Sequence, residues 1–161
     1  MRGKHTVEKI GGTSIAATRA VMDNVLIAGR KGEELYNRIF IVSAYAGVTD
    51  RLIENKKTGE PGVYALFAGS ETEWAWNDAI SRVAEEMQRI NAEIFADRAE
   101  RRLADAFVTE RVEGARNCLL DLHRLCSYGH FRLDEHLNTM REMLAALGEA
   151  HSAHNTALLL K

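Results

Sequence analysis

The stretch Val7-Glu8-Lys9-Ile10-Gly11-Gly12-Thr13-Ser14 decides the fold of this chain, together with Ile39-Phe40-Ile41-Val42-Ser43-Ala44-Tyr45-Ala46-Gly47-Val48-Thr49-Asp50. Each stretch is a short apolar run that ends in glycine and hydroxyl residues and leads into a helical pattern. Two such runs separated by a helix predict a βαβ unit with parallel strands. The two strand ends would direct backbone N–H groups, hydroxyls and one lysine at the same place, which suits an anionic ligand. The residues therefore predict a phosphate site.

The pattern predicts a first strand over residues 5–10 and a fully buried second strand over residues 39–42. A short helix is expected over residues 49–55, and residues 56–62 form a loop that holds the only proline. Thr13 or Ser14 is expected to cap the helix between the strands. That helix would end near residues 29–32, and its inner side would carry Ala17, Val21 and Leu26.

After the loop, apolar residues recur at spacings of three and four, which predicts amphipathic helices. Three stripes are expected to be core: Ile80, Val83, Met87, Ile90 and Ile94; Leu103, Phe107, Val112, Ala115, Leu119 and Leu122; Leu133, Leu137, Met140, Leu144 and Leu147. A final helical stretch is expected over residues 150–160. Since two parallel strands cannot cover so many helices, further strands are expected after Lys161, in a longer protein.

The composition favours one domain that binds small molecules or protein. A chain of 161 residues can form one domain with its own core. Its net charge is −2, with no block of like charge, so neither nucleic acid nor a charged membrane surface is an expected partner. No apolar run reaches the length of a membrane span or a signal peptide, and a cytoplasmic protein is expected.

The cysteine and histidine residues have a structural interpretation beside a metal one. Cys118 and Cys126 fall within one predicted helix, about 12 Å apart at 1.5 Å per residue, so free thiols are expected. Two loose clusters invite a metal interpretation. The first fits none of the usual zinc spacings and a continuous helix would spread the second apart, so no metal site is predicted. These clusters are Glu149, His151 and His154, and Cys118, His123, Cys126 and His130.

Three motifs resemble the signatures of the aspartate kinases. The stretch Lys9-Ile10-Gly11-Gly12-Thr13-Ser14 resembles K-F-G-G-T-S, with isoleucine in place of phenylalanine. Residues 42–50 resemble V-S-A-x-x-G-x-T-[ND], and Leu147-Gly148-Glu149-Ala150-His151-Ser152-Ala153 resembles L-G-E-x-x-S-[AS]. The sequences of residues 56–64 and 128–131 most resemble those of the aspartate kinases encoded with ectoine biosynthesis.

The resemblance implies an α/β fold, namely the N-terminal part of the αβα sandwich of the amino-acid kinase family, helix-rich in this segment. Residues 1–161 would be a partial catalytic domain. The family's later arginine-glycine-glycine-serine-aspartate motif, the segment for adenine and ribose, and the ACT regulatory domains have no counterpart here. The chain is therefore expected to be inactive alone.

The implied reaction is transfer of the γ-phosphoryl group of ATP to the β-carboxylate of L-aspartate, which gives 4-phospho-L-aspartate. This is the first step of the aspartate pathway, which leads to ectoine, lysine, threonine and methionine. ATP and L-aspartate would be the partners, and Mg²⁺ is expected with ATP, although no dedicated ligand set is evident. Association into a homo-oligomer stays open.

The resemblance also implies roles for single residues. Lys9 would be the catalytic cation that bridges the transferring phosphoryl group. The other phosphate-binding residues would be Gly11, Gly12, Thr13 and Ser14. For the substrate, Ser43 and the backbone at Gly47 would lie near the phosphoryl group or the aspartate, and Thr49 would bond a carboxylate. Glu149, as an acid at the start of a helix, would pair with the α-ammonium group.

Simpler interpretations stand beside these roles. Gly-Gly-Thr-Ser occurs as an ordinary strand-to-helix turn, Lys9 can be a surface lysine, and Glu149 can stabilise a helix N-terminus. Two other functions also remain open. One is a related phosphotransferase that acts on glutamate, carbamate or a nucleoside monophosphate; the other is a non-catalytic module that binds phosphate, aspartate or a protein.

Overall fold

The computed structural model describes residues 5–69, 72–129 and 131–161. Two strands form a parallel sheet, β1 (Thr6–Ile10) and β2 (Arg38–Val42). Between them lie α1 (Gly12–Ala16), α2 (Thr18–Val21), a π-helical segment (Met22–Ile27) and a 3₁₀ turn (Gly32–Leu35). The rest is helical: α3 (Val48–Leu52), α4 (Val63–Ala68), α5 (Glu73–Ile94), α6 (Arg98–Ser127), a 3₁₀ turn (Leu133–Glu135) and α7 (Leu137–Leu159).

The sheet confirms the parallel βαβ arrangement, and the α/β fold class with it. Val7 pairs with Ile39 and Ile10 with Val42, so both strands end at the same edge. Arg38 links this sheet to the segment that precedes β2. Its guanidinium donates to both carboxylate oxygens of Glu8, at 2.7 and 2.6 Å, and to the carbonyl oxygen of Val25 at 2.8 Å. This pairing lowers the pKa of the Glu8 carboxyl.

The prediction that β2 is fully buried is wrong. The side chains alternate, and Ile39 and Ile41 are 50% and 52% exposed. Val7 on β1 is exposed on the same face. The opposite face, with Phe40 and Val42, packs against the core. Parallel strands are normally covered on both faces and are therefore apolar on both, as β2 is. Among the described residues, however, only one face of the sheet is covered by helices.

The helix after β1 also differs from its prediction. It begins at Gly12, with Gly11 at the N-cap and no side-chain cap, so Thr13 and Ser14 lie inside the first turn. At Ala17 the backbone leaves the helical region (φ −86°, ψ 55°), which separates α1 from α2. Ala17 is consequently exposed, whereas Val21 and Leu26 are buried as predicted, together with Ile15.

Helices α5, α6 and α7 build most of the core, as the periodicity predicts. Helices α5 and α6 run antiparallel. Asn91, near the C-terminal end of α5, donates to Asp105 near the N-terminal end of α6, while Ser81 accepts from Arg116 farther from that end. The first stripe is confirmed, with Ile94 partly buried. The second stripe is wrong at Leu103, which is 55% exposed. The face turned to the core instead carries Ala104, Val108, Val112, Ala115, Leu119 and Leu122.

The last two predicted helical segments form one helix. Helix α7 runs without a break from Leu137 to Leu159, so no separate helix begins near residue 150. Leu133 lies outside α7, in the preceding 3₁₀ turn, and packs against the core from there. Both cysteines lie within α6 and are free thiols, as expected. Across the described ranges, no helix is both long and apolar enough to cross a membrane.

Two glycines bring α1 and α7 close to the residues that follow β2. A Cβ atom on Gly12 would lie 2.5 Å from the carbonyl oxygen of Ala44. A Cβ atom on Gly148, in the middle of α7, would lie 2.8 Å from Cβ of Ala44 and 3.2 Å from Cγ1 of Val48. All three distances are shorter than van der Waals contact, so neither position has room for a side chain.

Gly148→Ala is therefore expected to lower the free energy of unfolding, by up to about 2 kcal/mol. Overpacking costs about 1–3 kcal/mol, and the better helix propensity of alanine returns about 1 kcal/mol. Gly114→Ala, in the middle of α6, is the matched control, because its added Cβ meets no atom within 4 Å. That control should gain about 0.5–1 kcal/mol. Urea unfolding of both variants measures the difference, and equal stabilisation would contradict the close contact at Gly148.

Candidate functional site

Lys9 lies near the end of β1, beside the glycine turn. Its side chain is exposed, and its ammonium nitrogen lies 4.0 Å from where a Cβ atom of Gly11 would be. Gly11 has an extended backbone (φ −74°, ψ 159°) and accepts the first helical bond of α1, from the N–H of Ile15 at 2.9 Å. The preceding N–H groups of the first turn have no partner within the helix. One cation and several free backbone donors thus share one exposed turn.

The second signature begins where β2 ends. The N–H of Ser43 donates to the carbonyl oxygen of Ile10 at 3.0 Å, which extends the strand pairing by one residue. The side chain of Ser43 lies against the first signature, since its Cβ is 4.0 Å from where a Cβ of Gly12 would be. The structure therefore brings the first signature, predicted to bind phosphate, into contact with the second signature, predicted to bind the substrate.

A tight turn over residues 45–48 follows and leads into α3. The N–H of Val48 donates to the carbonyl oxygen of Tyr45 at 3.1 Å, and Gly47 has φ 82° and ψ −15°. These angles are those of the third residue of a type II turn, which favours glycine. Thr49 then lies exposed in the first turn of α3. Its hydroxyl is free to meet a ligand.

The third signature lies on α7, against the second. Gly148 packs on Ala44 and Val48, so the two signatures are in direct contact. Glu149 is exposed, as a ligand-binding carboxylate must be, but it lies in the middle of α7. The prediction that it starts a helix is wrong, because the helix continues on both sides of Gly148. The N-terminus of α7, at Leu137, is therefore too far along the chain to act on this carboxylate.

A buried polar cluster behind the second signature escaped the sequence analysis. It consists of Tyr45, Asn91, His151 and Asn155, all at most 3% exposed. The side-chain oxygen of Asn91 lies 2.7 Å from Nε2 of His151 and 2.8 Å from the amide nitrogen of Asn155. Asn155 also donates to the hydroxyl of Tyr45 at 3.4 Å. The available signal was a group of polar residues on the buried face of α7, namely His151, Ser152, Asn155 and Thr156.

Burial sets the protonation of this cluster. Desolvation, followed by the nearby charge of His154, lowers the pKa of His151 to about 4. Desolvation raises the pKa of Tyr45 to about 12, against the opposing effect of its bond to Asn155. At neutral pH both side chains are therefore uncharged. The cluster acts through hydrogen bonds, with no net charge on either ring.

The two histidines of the first alternative metal cluster, His151 and His154, make different contacts. His151 bonds Asn91, whereas the ring of His154 stacks on Phe107 with centroids 4.0 Å apart. His130, a member of the second cluster, lies outside the described residues. Among the described residues, no group of three or more His, Cys, Asp or Glu side chains could hold a metal ion.

Two cavities adjoin the second signature. One of about 400 Å³ lies between α3, the following loop and α5, and is lined by Gly47 and Asp50 among others. The other, of about 890 Å³, lies between α2 and α5 and reaches Tyr45 and Ala46. Neither is lined by Lys9 or Glu149. The predicted phosphate site is therefore an open surface at the strand ends, and neither of these cavities encloses it.

His151 should make the stability of the fold depend on pH. Its pKa is lower in the folded state, about 4, than the 6.5 of an unfolded histidine. The stabilisation is therefore complete above pH 6.5 and is lost as the pH falls toward 4. The loss should reach about 3 kcal/mol, at 1.36 kcal/mol per pKa unit.

Unfolding by urea at pH 7.5 and pH 4.5 measures this effect. His151→Gln keeps a side-chain donor but no titrating group, and should flatten the pH dependence over this range. His123→Gln, on the exposed side of α6, should retain it. An unchanged pH dependence in His151→Gln would show that His151 is not held neutral by burial.

Comparison with known proteins supports the motif assignments. The chain is 53% identical over 157 residues to aspartate kinase Ask_Ect of Stutzerimonas stutzeri (strain A1501). The match covers 98% of this chain and 33% of that protein, so the chain spans about a third of the length of the curated relative. No family model matches the chain, and no solved structure matches it. The predicted resemblance to the aspartate kinases of the ectoine type is therefore confirmed over nearly the whole chain.

Proposed function

We propose that this chain supplies the phosphate-binding and aspartate-binding part of an aspartate kinase. The whole enzyme would transfer the γ-phosphoryl group of ATP to the β-carboxylate of L-aspartate and form 4-phospho-L-aspartate. The observation that carries the proposal is the meeting of three signature segments at Ala44, which contacts the positions of Gly12 and Gly148. The 53% identity to a protein named aspartate kinase supports the same assignment.

The chemistry asks for alignment and neutralisation of charge. The attacking group is already a carboxylate, so no strong base is needed to activate it. Lys9 would hold the transferring phosphoryl group with its ammonium group, which is exposed and adjacent to the glycine turn. The backbone at Gly11 and Gly12 would approach the phosphates closely, and the hydroxyls of Thr13 and Ser14 are exposed beside it. Since α1 has only five residues, Lys9 would supply most of the positive charge.

Aspartate would be held by the second and third signatures. The side chain of Ser43 lies against the phosphate turn, so its hydroxyl would meet the β-carboxylate where phosphoryl transfer occurs. Thr49, exposed at the start of α3, would donate to the other substrate carboxylate, with the backbone at Gly47 beside it. Glu149 would pair with the α-ammonium group, and its exposure leaves its carboxylate free to do so.

Mg²⁺ would enter the site bound to ATP. Magnesium commonly keeps water ligands and is held by substrate phosphates with one or two carboxylates, so it needs no protein cage. This fits the described residues, which offer no cluster of three or more metal-ligating side chains. The ion would draw charge from the phosphate oxygens, while Lys9 positions the same oxygens from the protein side.

The proposed catalytic domain is larger than this chain. Residues 1–161 would form one part of it, since Val7, Ile39 and Ile41 present an uncovered apolar sheet face. Parallel strands are stable when helices or further strands cover both faces. The part of the relative that this chain does not match, about two thirds of its length, would provide that cover.

Lys9→Ala should reduce turnover by about 100-fold or more in the chain extended by the unmatched part of the Stutzerimonas stutzeri protein. The Michaelis constant for aspartate should change little, because Lys9 would act mainly on the transferring group. Lys57→Ala, which removes an exposed lysine from the loop after α3, is the control and should leave both constants unchanged. Aspartate-dependent formation of ADP is the measurement. If the extended protein consumed ATP equally with glutamate, carbamate or a nucleoside monophosphate, the aspartate kinase proposal would be wrong.

Glu149→Gln should raise the Michaelis constant for aspartate by about tenfold or more and leave that for ATP unchanged. The substitution keeps the shape of the side chain but removes the charge opposite the α-ammonium group. Glu142→Gln, also exposed on α7, should have no such effect. A parallel rise in both Michaelis constants would indicate that Glu149 supports the helix and does not bind aspartate.

A further inference from the structure

We propose that the buried cluster of Tyr45, Asn91, His151 and Asn155 positions the turn at residues 45–48 against α7, and so holds Thr49 and Glu149 at a set separation for one substrate. This inference rests on the proposed function for the identity of the substrate. It assigns positioning roles to residues that would not themselves touch aspartate or ATP. The geometry that supports it comes from three separate parts of the chain.

Tyr45 is the anchor of the turn. Its carbonyl oxygen accepts the bond that closes the turn, and its side chain points into the protein, where it is 3% exposed. Its ring meets the ring of His151 edge to face, with centroids 5.2 Å apart and planes at 63°. Its hydroxyl accepts from Asn155. The first residue of the turn is thus attached to two successive turns of α7.

Asn91 attaches the same two turns of α7 to α5. Its side-chain oxygen only accepts, so the contact of 2.7 Å with His151 places the proton of that ring on Nε2. The amide nitrogen of Asn155, 3.1 Å from the same Nε2, then donates to Asn91 and not to the ring. The same oxygen accepts from Asn155, and the amide group of Asn91 donates to Asp105 on α6 at 2.9 Å. One asparagine therefore links α5, α6 and α7. This link limits rotation of α7 about its own axis.

The rotation of α7 determines where Glu149 points. Gly148, His151 and Asn155 share the buried face, while Glu149 follows Gly148 by one residue, about 100° around the helix. Gly148 sets how close α7 comes to Ala44, but a contact at one point does not prevent rotation. The hydrogen bonds at His151 and Asn155 supply the second and third points of attachment.

Stability alone is a poor explanation for this cluster. Nδ1 of His151 and the side-chain oxygen of Asn155 are buried without a partner among the described residues. Such atoms cost free energy, and apolar side chains of similar size would fill this space at equal or lower cost. Hydrogen bonds are directional, however, and apolar contacts are not. The cluster therefore fixes one orientation of the turn and the helix, at a cost in stability.

Tyr45→Phe tests the inference, because it removes one hydroxyl and keeps the ring. The matched control is Tyr64→Phe, which removes the hydroxyl of a second tyrosine. Tyr64 lies on α4 and is partly buried. Two measurements on the chain are compared: hydrogen exchange of the Val48 amide, which closes the turn, and calorimetric binding of L-aspartate. Urea unfolding shows whether either variant is globally destabilised.

In Tyr45→Phe, exchange of the Val48 amide should accelerate by about tenfold, and aspartate affinity should fall by about three- to tenfold, the effect of one weakened hydrogen bond. Tyr64→Phe should change neither. An unchanged exchange rate in Tyr45→Phe would overturn the positioning role, as would unchanged affinity in a chain that binds aspartate. If the wild-type chain bound no aspartate while exchange accelerated as expected, positioning of the turn would stand, and the assay of the extended protein would decide the proposed function separately.

Discussion

The contact of Ala44 with two glycines is the constraint on which the rest of the structure depends. Gly12 at the start of α1 lies against its carbonyl oxygen, and Gly148 in α7 lies against its methyl group. A side chain at either position would push a helix away from the end of β2. Because each of these residues belongs to a different signature segment, the absence of two side chains is what allows the three segments to meet. The segments that carry the predicted ligand-binding residues then meet at Ala44.

The hydrogen bonds of the buried polar cluster add a second constraint to this contact. Close packing sets the distance between α7 and the end of β2, whereas Asn91 and its partners set the rotation of the helix. The two kinds of interaction differ in their effect on stability. Packing buries apolar surface, whereas the polar cluster leaves two buried atoms without a partner among the described residues. The site therefore lies at the border between a well-packed helical layer and a sheet whose other face, at Ile39 and Ile41, is uncovered.

Periodicity located the long helices correctly because a buried helix face needs apolar residues at every third and fourth position. It failed at Leu103, where the larger apolar side chain is exposed and the neighbouring Ala104 is buried. Close helix packing selected the small residue at that point, and a pattern that weighs only hydrophobicity favours the large one. It also failed at β2, since an apolar strand predicts two covered faces while only one is covered by the described residues.

Three features can be read directly from the amino-acid sequence: the parallel strand pair, the glycine turns that end the strands, and the three motifs that resemble the aspartate kinases. These features are local, because each depends on residues within a few positions of one another. Two other features depend on the tertiary structure. Glu149 lies in the middle of a helix. Asn91 contacts His151 and Asn155, which are 60 and 64 residues away in the sequence. A local pattern specifies which face of a helix is buried. Which two buried faces meet depends on the packing of the whole chain, and so does the site between them.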